Sequence, residues 1–148
     1  MKRPDVVTLC TLLVLVACAG ERPPQLGVTN GTLAACPDSP NCVSSQARDE
    51  RHRIEPLATG DNPDAAFARL VEITRRRSDA TVMEQTDTYL RVELRTTLFI
   101  DDAEFLLDRE HQRIQVRSAS RVGYSDLGLN RRRIEEIRSQ LQRLDENR

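Results

Sequence analysis

The stretch Arg117-Ser118-Ala119-Ser120-Arg121-Val122-Gly123-Tyr124-Ser125-Asp126-Leu127-Gly128 runs on through Asn130 to Arg131 and gathers side chains suited to holding an anion. Arg117, Arg121 and Arg131 offer planar N–H forks that match a carboxylate or a phosphate. Ser118, Ser120 and Ser125 add hydroxyl donors. A helix opening at Asn130 would point free backbone amides the same way. The competing expectation is an internal network, in which Asp126 or Asp101 pairs with Arg121, Ser125 satisfies turn amides, and the glycines supply positive φ. A second cluster, Asp101, Asp102 and Glu104, has the residue types for a metal or for acid–base chemistry. On an alternating strand Asp102 and Glu104 share one face, expected to be the solvated one. Ser44, Asp49 and His52 are the residue types of a hydrolase triad, but no Gly-x-Ser-x-Gly elbow accompanies them.

The cysteines set the compartment. Lys2 and Arg3 precede a largely apolar run, Val6 to Val16, which is too short to span a bilayer of roughly 30 Å. Leu15-Val16-Ala17-Cys18 closes that run and resembles the lipobox of bacterial lipoproteins. The resemblance implies removal of residues 1–17, with the Asp5-containing n-region, and a diacylglycerol on Cys18. At about 0.8 kcal/mol per buried methylene, two or more acyl chains anchor stably. Ala19 after Cys18, where an aspartate would signal retention, favours the outer membrane, with the domain facing the periplasm. Cys10 leaves with the signal. Cys36 and Cys42 remain as an even pair in an oxidising compartment, and a disulfide is expected. Closing so short a ring contributes roughly 2 kcal/mol, less where Pro37 and Pro40 already stiffen it. A redox pair would prefer Cys-x-x-Cys spacing. Cys36, Cys42, His52 and His111 fit no zinc spacing, so no metal and no cofactor is expected.

These residues need elements to position them. Residues 18–32, with Pro23-Pro24, Gly27 and Gly31, read as a linker that lifts the domain off the membrane, and 33–148 as one domain. Asn62, Pro63 and Asp64 open a helix whose apolar stripe includes Phe67, Leu70 and Val71. Arg75-Arg76-Arg77 closes it as a solvated end. Thr81 to Gln85, Leu90 to Leu94, Ala103 to Leu107 and Ile114 to Val116 read as strands, with hairpins near Thr86–Thr88 and Arg109–His111. Ile54, Pro56 and Leu57 suggest an edge segment. Asn130 is placed to cap a second helix with the stripe Ile134, Ile137, Leu141 and Leu144. The expected fold is α/β (α+β), a two-layer sandwich of about four antiparallel strands under two amphipathic helices, one near each end of the domain.

Composition narrows the function. A net charge of −1 argues against a nucleic-acid partner, and the lack of tryptophan argues against a stacking platform. Cys36-Pro37-Asp38-Ser39-Pro40-Asn41-Cys42-Val43-Ser44-Ser45 together with Asp101-Asp102-Ala103-Glu104-Phe105 and the Arg117–Arg131 stretch resembles the domain of unknown function family 1499, over about Leu33 to Leu144. That resemblance implies a compact α/β domain, often exported or membrane-associated, and brings no activity. The leading expectation is a non-enzymatic envelope lipoprotein that binds a small anionic or lipidic ligand, or a partner protein, through the arginine loop. The alternatives are an envelope enzyme or redox protein using Cys36/Cys42 or the Asp101–Glu104 cluster, and a purely structural interaction module.

Overall fold

Alternation along four long strands sorts the side chains onto two faces, and the whole architecture follows from it. The computed structural model describes residues 20–146, so the signal 1–17 and Cys18 lie outside the described residues. The elements in chain order are β1 (Cys42–Ser44), β2 (Leu57–Ala58), α1 (Pro63–Arg76), β3 (Ala80–Gln85), β4 (Tyr89–Arg95), β5 (Ile100–Asp108), β6 (Arg113–Ser120) and α2 (Leu129–Glu146). The sheet is antiparallel in the order β1-β6-β5-β4-β3, and β2 also lies along β6. It therefore has six strands where about four were expected. The additions are two short strands that share the outer edge of β6.

Both helices pack on one face. Leu90, Val92 and Leu94 of β4 pair in register with Phe105, Ala103 and Asp101 of β5, which pair in turn with Val116, Ser118 and Ser120 of β6. Phe67 and Leu70 of α1 and Ile134, Ile137 and Leu141 of α2 bury themselves against this layer. The stripe of α2 ends a turn early, since Leu144 is exposed. Asn62 caps α1 as expected, its Oδ1 accepting the Ala65 amide at 3.0 Å, with Pro63 in the first turn. Arg75 and Arg76 are solvated, but Arg77 is not: it bonds Asp79 through Nε and Nη2 and reaches Glu136 on α2. Between β4 and β5, Thr96 closes a tight turn by accepting the Phe99 amide on its hydroxyl and donating its own amide to the Phe99 carbonyl.

The other face carries Tyr89, Arg91, Glu93 and Arg95 of β4, Asp102 and Glu104 of β5, and Gln115, Arg117 and Ala119 of β6. Residues 20–32 are not a free spacer. Gly27 donates its amide to Glu104 Oε1 at 2.7 Å, and Gly20 lies tight against Arg121 and Val122. Asn30 and Gly31 both take positive φ and close a two-residue turn with reciprocal Thr29–Thr32 backbone bonds. The aperiodic segment before β1 thus belongs to the domain.

Candidate functional site

The Arg117–Arg131 stretch does not form one cup. Strand alternation sends Arg117 to the face away from the helices and Ser118 and Ser120 to the helix face. Two separate constructions result.

The first is a buried polar knot. Asn130 is fully buried at the start of α2 and does not cap it. Its side-chain amide donates to the Asn41 carbonyl at 3.2 Å, Ser120 Oγ at 3.1 Å and Asp126 Oδ2 at 2.9 Å, and its carbonyl accepts the Ser118 hydroxyl. Asp126 is the capping group. Its carboxylate accepts the amides of Gly128 at 3.0 Å and Asn130 at 2.7 Å. A carboxylate on the first amides of a helix complements the dipole, so the anion position expected there is filled from within. Ser125 is exposed and accepts the Leu127 amide, and Arg131 reaches away to the Arg51 carbonyl.

The second construction is a charged layer on the opposite face. Asp102 and Glu104 share that face as expected, but it is not solvated: they are 1% and 0% exposed. Arg121 grips Asp102 with Nε and Nη2 at 2.7 and 2.9 Å and reaches Glu93 with Nη2. Its partner is thus neither Asp101, which pairs with Arg133 on the helix face, nor Asp126. Arg117 donates to Glu104 at 3.2 Å, and Tyr89 donates its hydroxyl to the same carboxylate at 2.8 Å. Arg91 lies 3.5 Å from Asp102 and 3.9 Å from the edge residue Glu84, at ion-pair range without a hydrogen bond.

The protonation states follow from these contacts. Hydrogen bonds donated to Asp102 and then to Glu93 hold the Arg121 guanidinium charged against its burial. Burial acts to raise Glu93, but Arg121 and Arg95 outweigh it and keep its carboxyl below the usual range. Burial first, and then the Glu104 charge, pushes the Tyr89 hydroxyl up, so it stays a donor. Three buried arginines thus face three buried carboxylates, and charge is balanced. Hydrogen bonding is not: Nε and Nη1 of Arg91 and Nε of Arg117 are buried without an acceptor.

Cys36 and Cys42 are joined by a disulfide, with Cα atoms 5.7 Å apart. Cys42 pairs with Ala119, so the ring sits at the margin of the charged layer. Asn41 donates its side-chain amide to the Gly123 carbonyl at 2.6 Å, which packs the cysteine loop onto the glycine loop. Between them opens a cleft of about 280 Å³, bordered by Pro23, Ser39 and Asn41 and floored by Asp102, Arg117 and Arg121.

The triad-like residues do not align for catalysis. His52 Nδ1 lies 2.8 Å from Asp49, but Nε2 faces the Ser39 carbonyl at 3.1 Å, and Ser44 Oγ accepts the Gln46 amide. His111 sits exposed in the β5–β6 turn with Asp108, far along the sheet from the cysteines. Among the described residues, no three His, Cys, Asp or Glu side chains come together as a metal-ligand set.

Residues that sequence reasoning passed over as site residues are Arg91 and Glu93, whose alternation with Leu90, Val92 and Leu94 marks only the polar half of a strand, and Tyr89, which carried no signal. The sequence model of the family described as Protein of unknown function (DUF1499) matches residues 32–141. No curated protein and no solved structure matches.

Proposed function

Since the chain belongs to this family of proteins of unknown function, DUF1499, we propose its role from its own residues: a lipid-anchored, non-enzymatic module of the cell envelope that binds an acceptor-rich anionic group in the cleft above Arg117 and Arg121. Cys18 carries the anchor, and the domain faces the periplasm, with the outer membrane favoured. One observation carries the ligand reading. Arg117 lines the cleft, is buried, and leaves its Nε–H without an acceptor. A guanidinium donor removed from water without a partner costs about 1–3 kcal/mol, and a turn of the Arg117 side chain that brings Nε to a carboxylate or phosphate oxygen in the cleft would offset that cost. The surrounding carboxylates are each held by an arginine, and the Cys42 sulfur is buried, so acid–base and thiol-exchange chemistry have weaker support.

The ligand chemistry has two possible sources, a free anion or a lipid headgroup. The test is the thermal midpoint of the lipidated protein in detergent, titrated at constant ionic strength with inorganic phosphate or with micelles containing phosphatidylglycerol. A ligand that binds the folded state raises the midpoint saturably. We expect a saturable rise with one of the two probes, lost in Arg117→Met and in the cleft-filling Ser39→Leu. The first probe responding identifies a soluble anion, and the second a headgroup. A rise that persists in both variants, or no rise with either probe, overturns the reading.

A further inference from the structure

Four of the large exposed apolar side chains sit at one end of the sheet. Leu98 and Phe99 form the tip of the β4–β5 turn, and Tyr124 and Leu127 the tip of the loop before α2; they are 65%, 45%, 72% and 85% exposed. The two tips adjoin. The Arg121 amide bonds the Ile100 carbonyl, and a largely apolar depression of about 210 Å³ is lined by Phe99, Val122, Leu127 and Leu129. Exposed apolar groups gathered in one place mark a contact surface, whereas scattered ones such as Met83 on β3 do not.

Leu127 is the most telling. It stands almost fully in solvent, and its backbone is held at φ 53°, in the left-handed region that bulky side chains avoid. The Ser125 hydroxyl and the Arg132 guanidinium, which donates to the Leu127 carbonyl at 2.8 Å, hold it there. A strained, fully wetted leucine is costly twice over, and insertion into an apolar medium recovers the second cost.

The direction of the chain says which medium. Gly20 is seated against Val122, at this same end. Cys18 is two residues before it, and two extended residues reach at most about 7 Å. We propose that this end docks on the bilayer: Leu98, Phe99 and Leu127 enter the acyl boundary, with Tyr124 and Arg132 at the headgroup level. The proposal rests on lipidation of Cys18. The β5–β6 turn at the far end would then point into the periplasm.

The chain has no tryptophan, so a single introduced one reports its own surroundings. The variants are Phe99→Trp, Leu127→Trp and, at the far turn, Glu110→Trp, each in the full-length lipoprotein reconstituted into phosphatidylethanolamine–phosphatidylglycerol vesicles containing acyl-brominated lipid. We expect blue-shifted emission that bromine quenches at positions 99 and 127, and red-shifted, unquenched emission at 110. Intact mass of the same preparations reads the Cys18 lipid separately. Lipid mass with equal or absent quenching at all three positions overturns the docking and leaves the anchor standing. No lipid mass overturns the anchor, and the docking with it.

Discussion

The two faces of the sheet come from one alternation and meet burial in opposite ways. The helix face is filled along most of its length by Leu90, Val92, Phe105 and Val116 under α1 and α2, where shape is the main requirement, and carries polar groups only toward the Asp101–Arg133 and Asn130 end. The other face buries Arg91, Arg117 and Arg121 with Glu93, Asp102 and Glu104, where each group must find a partner of opposite charge and correct geometry. An apolar layer tolerates exchange of one aliphatic side chain for another. A charged layer tolerates removal of a whole pair but not of half of one. The first face is mainly apolar packing; the second holds three buried guanidinium N–H donors, two on Arg91 and one on Arg117, that lack an acceptor.

The largest expected effect tests the first face. Phe105→Ala should cost about 4 kcal/mol, read as the shift in denaturant midpoint, because it removes a fully buried ring from the core and leaves a cavity. The second test is asymmetric. Arg121→Ala leaves Asp102 with Arg91 alone at 3.5 Å and Glu93 with the half-exposed Arg95, and should cost about 3 kcal/mol. The paired change Arg117→Met with Glu104→Leu leaves no buried charge, only the Tyr89 hydroxyl and the Gly27 amide without their acceptor, and should cost less. If the single and paired changes cost the same, the charged face is packing by another name, and the contrast between the faces fails.

Acid titration sharpens the same contrast. The carboxyl of Glu93 is depressed in the fold, so its contribution is full above the ordinary glutamate range, near pH 4.3, and is lost as pH falls through its lower folded value. Unfolding midpoints followed downward from pH 5 should therefore decline in the wild type, with a shallower decline in Arg121→Ala. A smaller effect is expected at the knot: Ser118→Ala leaves one acceptor bond of Asn130 unmade and should cost about 1.5 kcal/mol, measured by the same midpoint.

The helices and the four long strands were legible because each has a period: Phe67, Leu70 and Val71 at helical spacing, and Leu90, Val92 and Leu94 at spacing two. β1 was not, since three residues carry no period and Cys42–Ser44 is a strand only because β6 lies beside it. The turn at Thr96–Phe99 lacks glycine and proline and gave no signal. The charged residues were noticed, but their fate was misjudged for a physical reason. An alternating charged face defaults to solvent, and the segment that Gly27 brings over Glu104 is aperiodic, so nothing local announced the burial. Which carboxylate meets Arg121 depends on register. Asp101 faces Ser120 and turns to the helices, which leaves Asp102 for the arginine.

Asn41 and Asn130 are bonded across 89 residues, whereas the disulfide closes over a separation of six. Assembly therefore has a built-in sequence in time. The cysteine ring can form as soon as its short stretch reaches an oxidising compartment, but β1 has nothing to pair with until the last strand has followed it through. The expected signature is kinetic: in refolding from the reduced state, Cys36 and Cys42 escape alkylation before the amide of Ser45, which bonds the Val116 carbonyl of β6, gains protection from exchange. Simultaneous protection would mean that the ring waits for the sheet instead of preceding it.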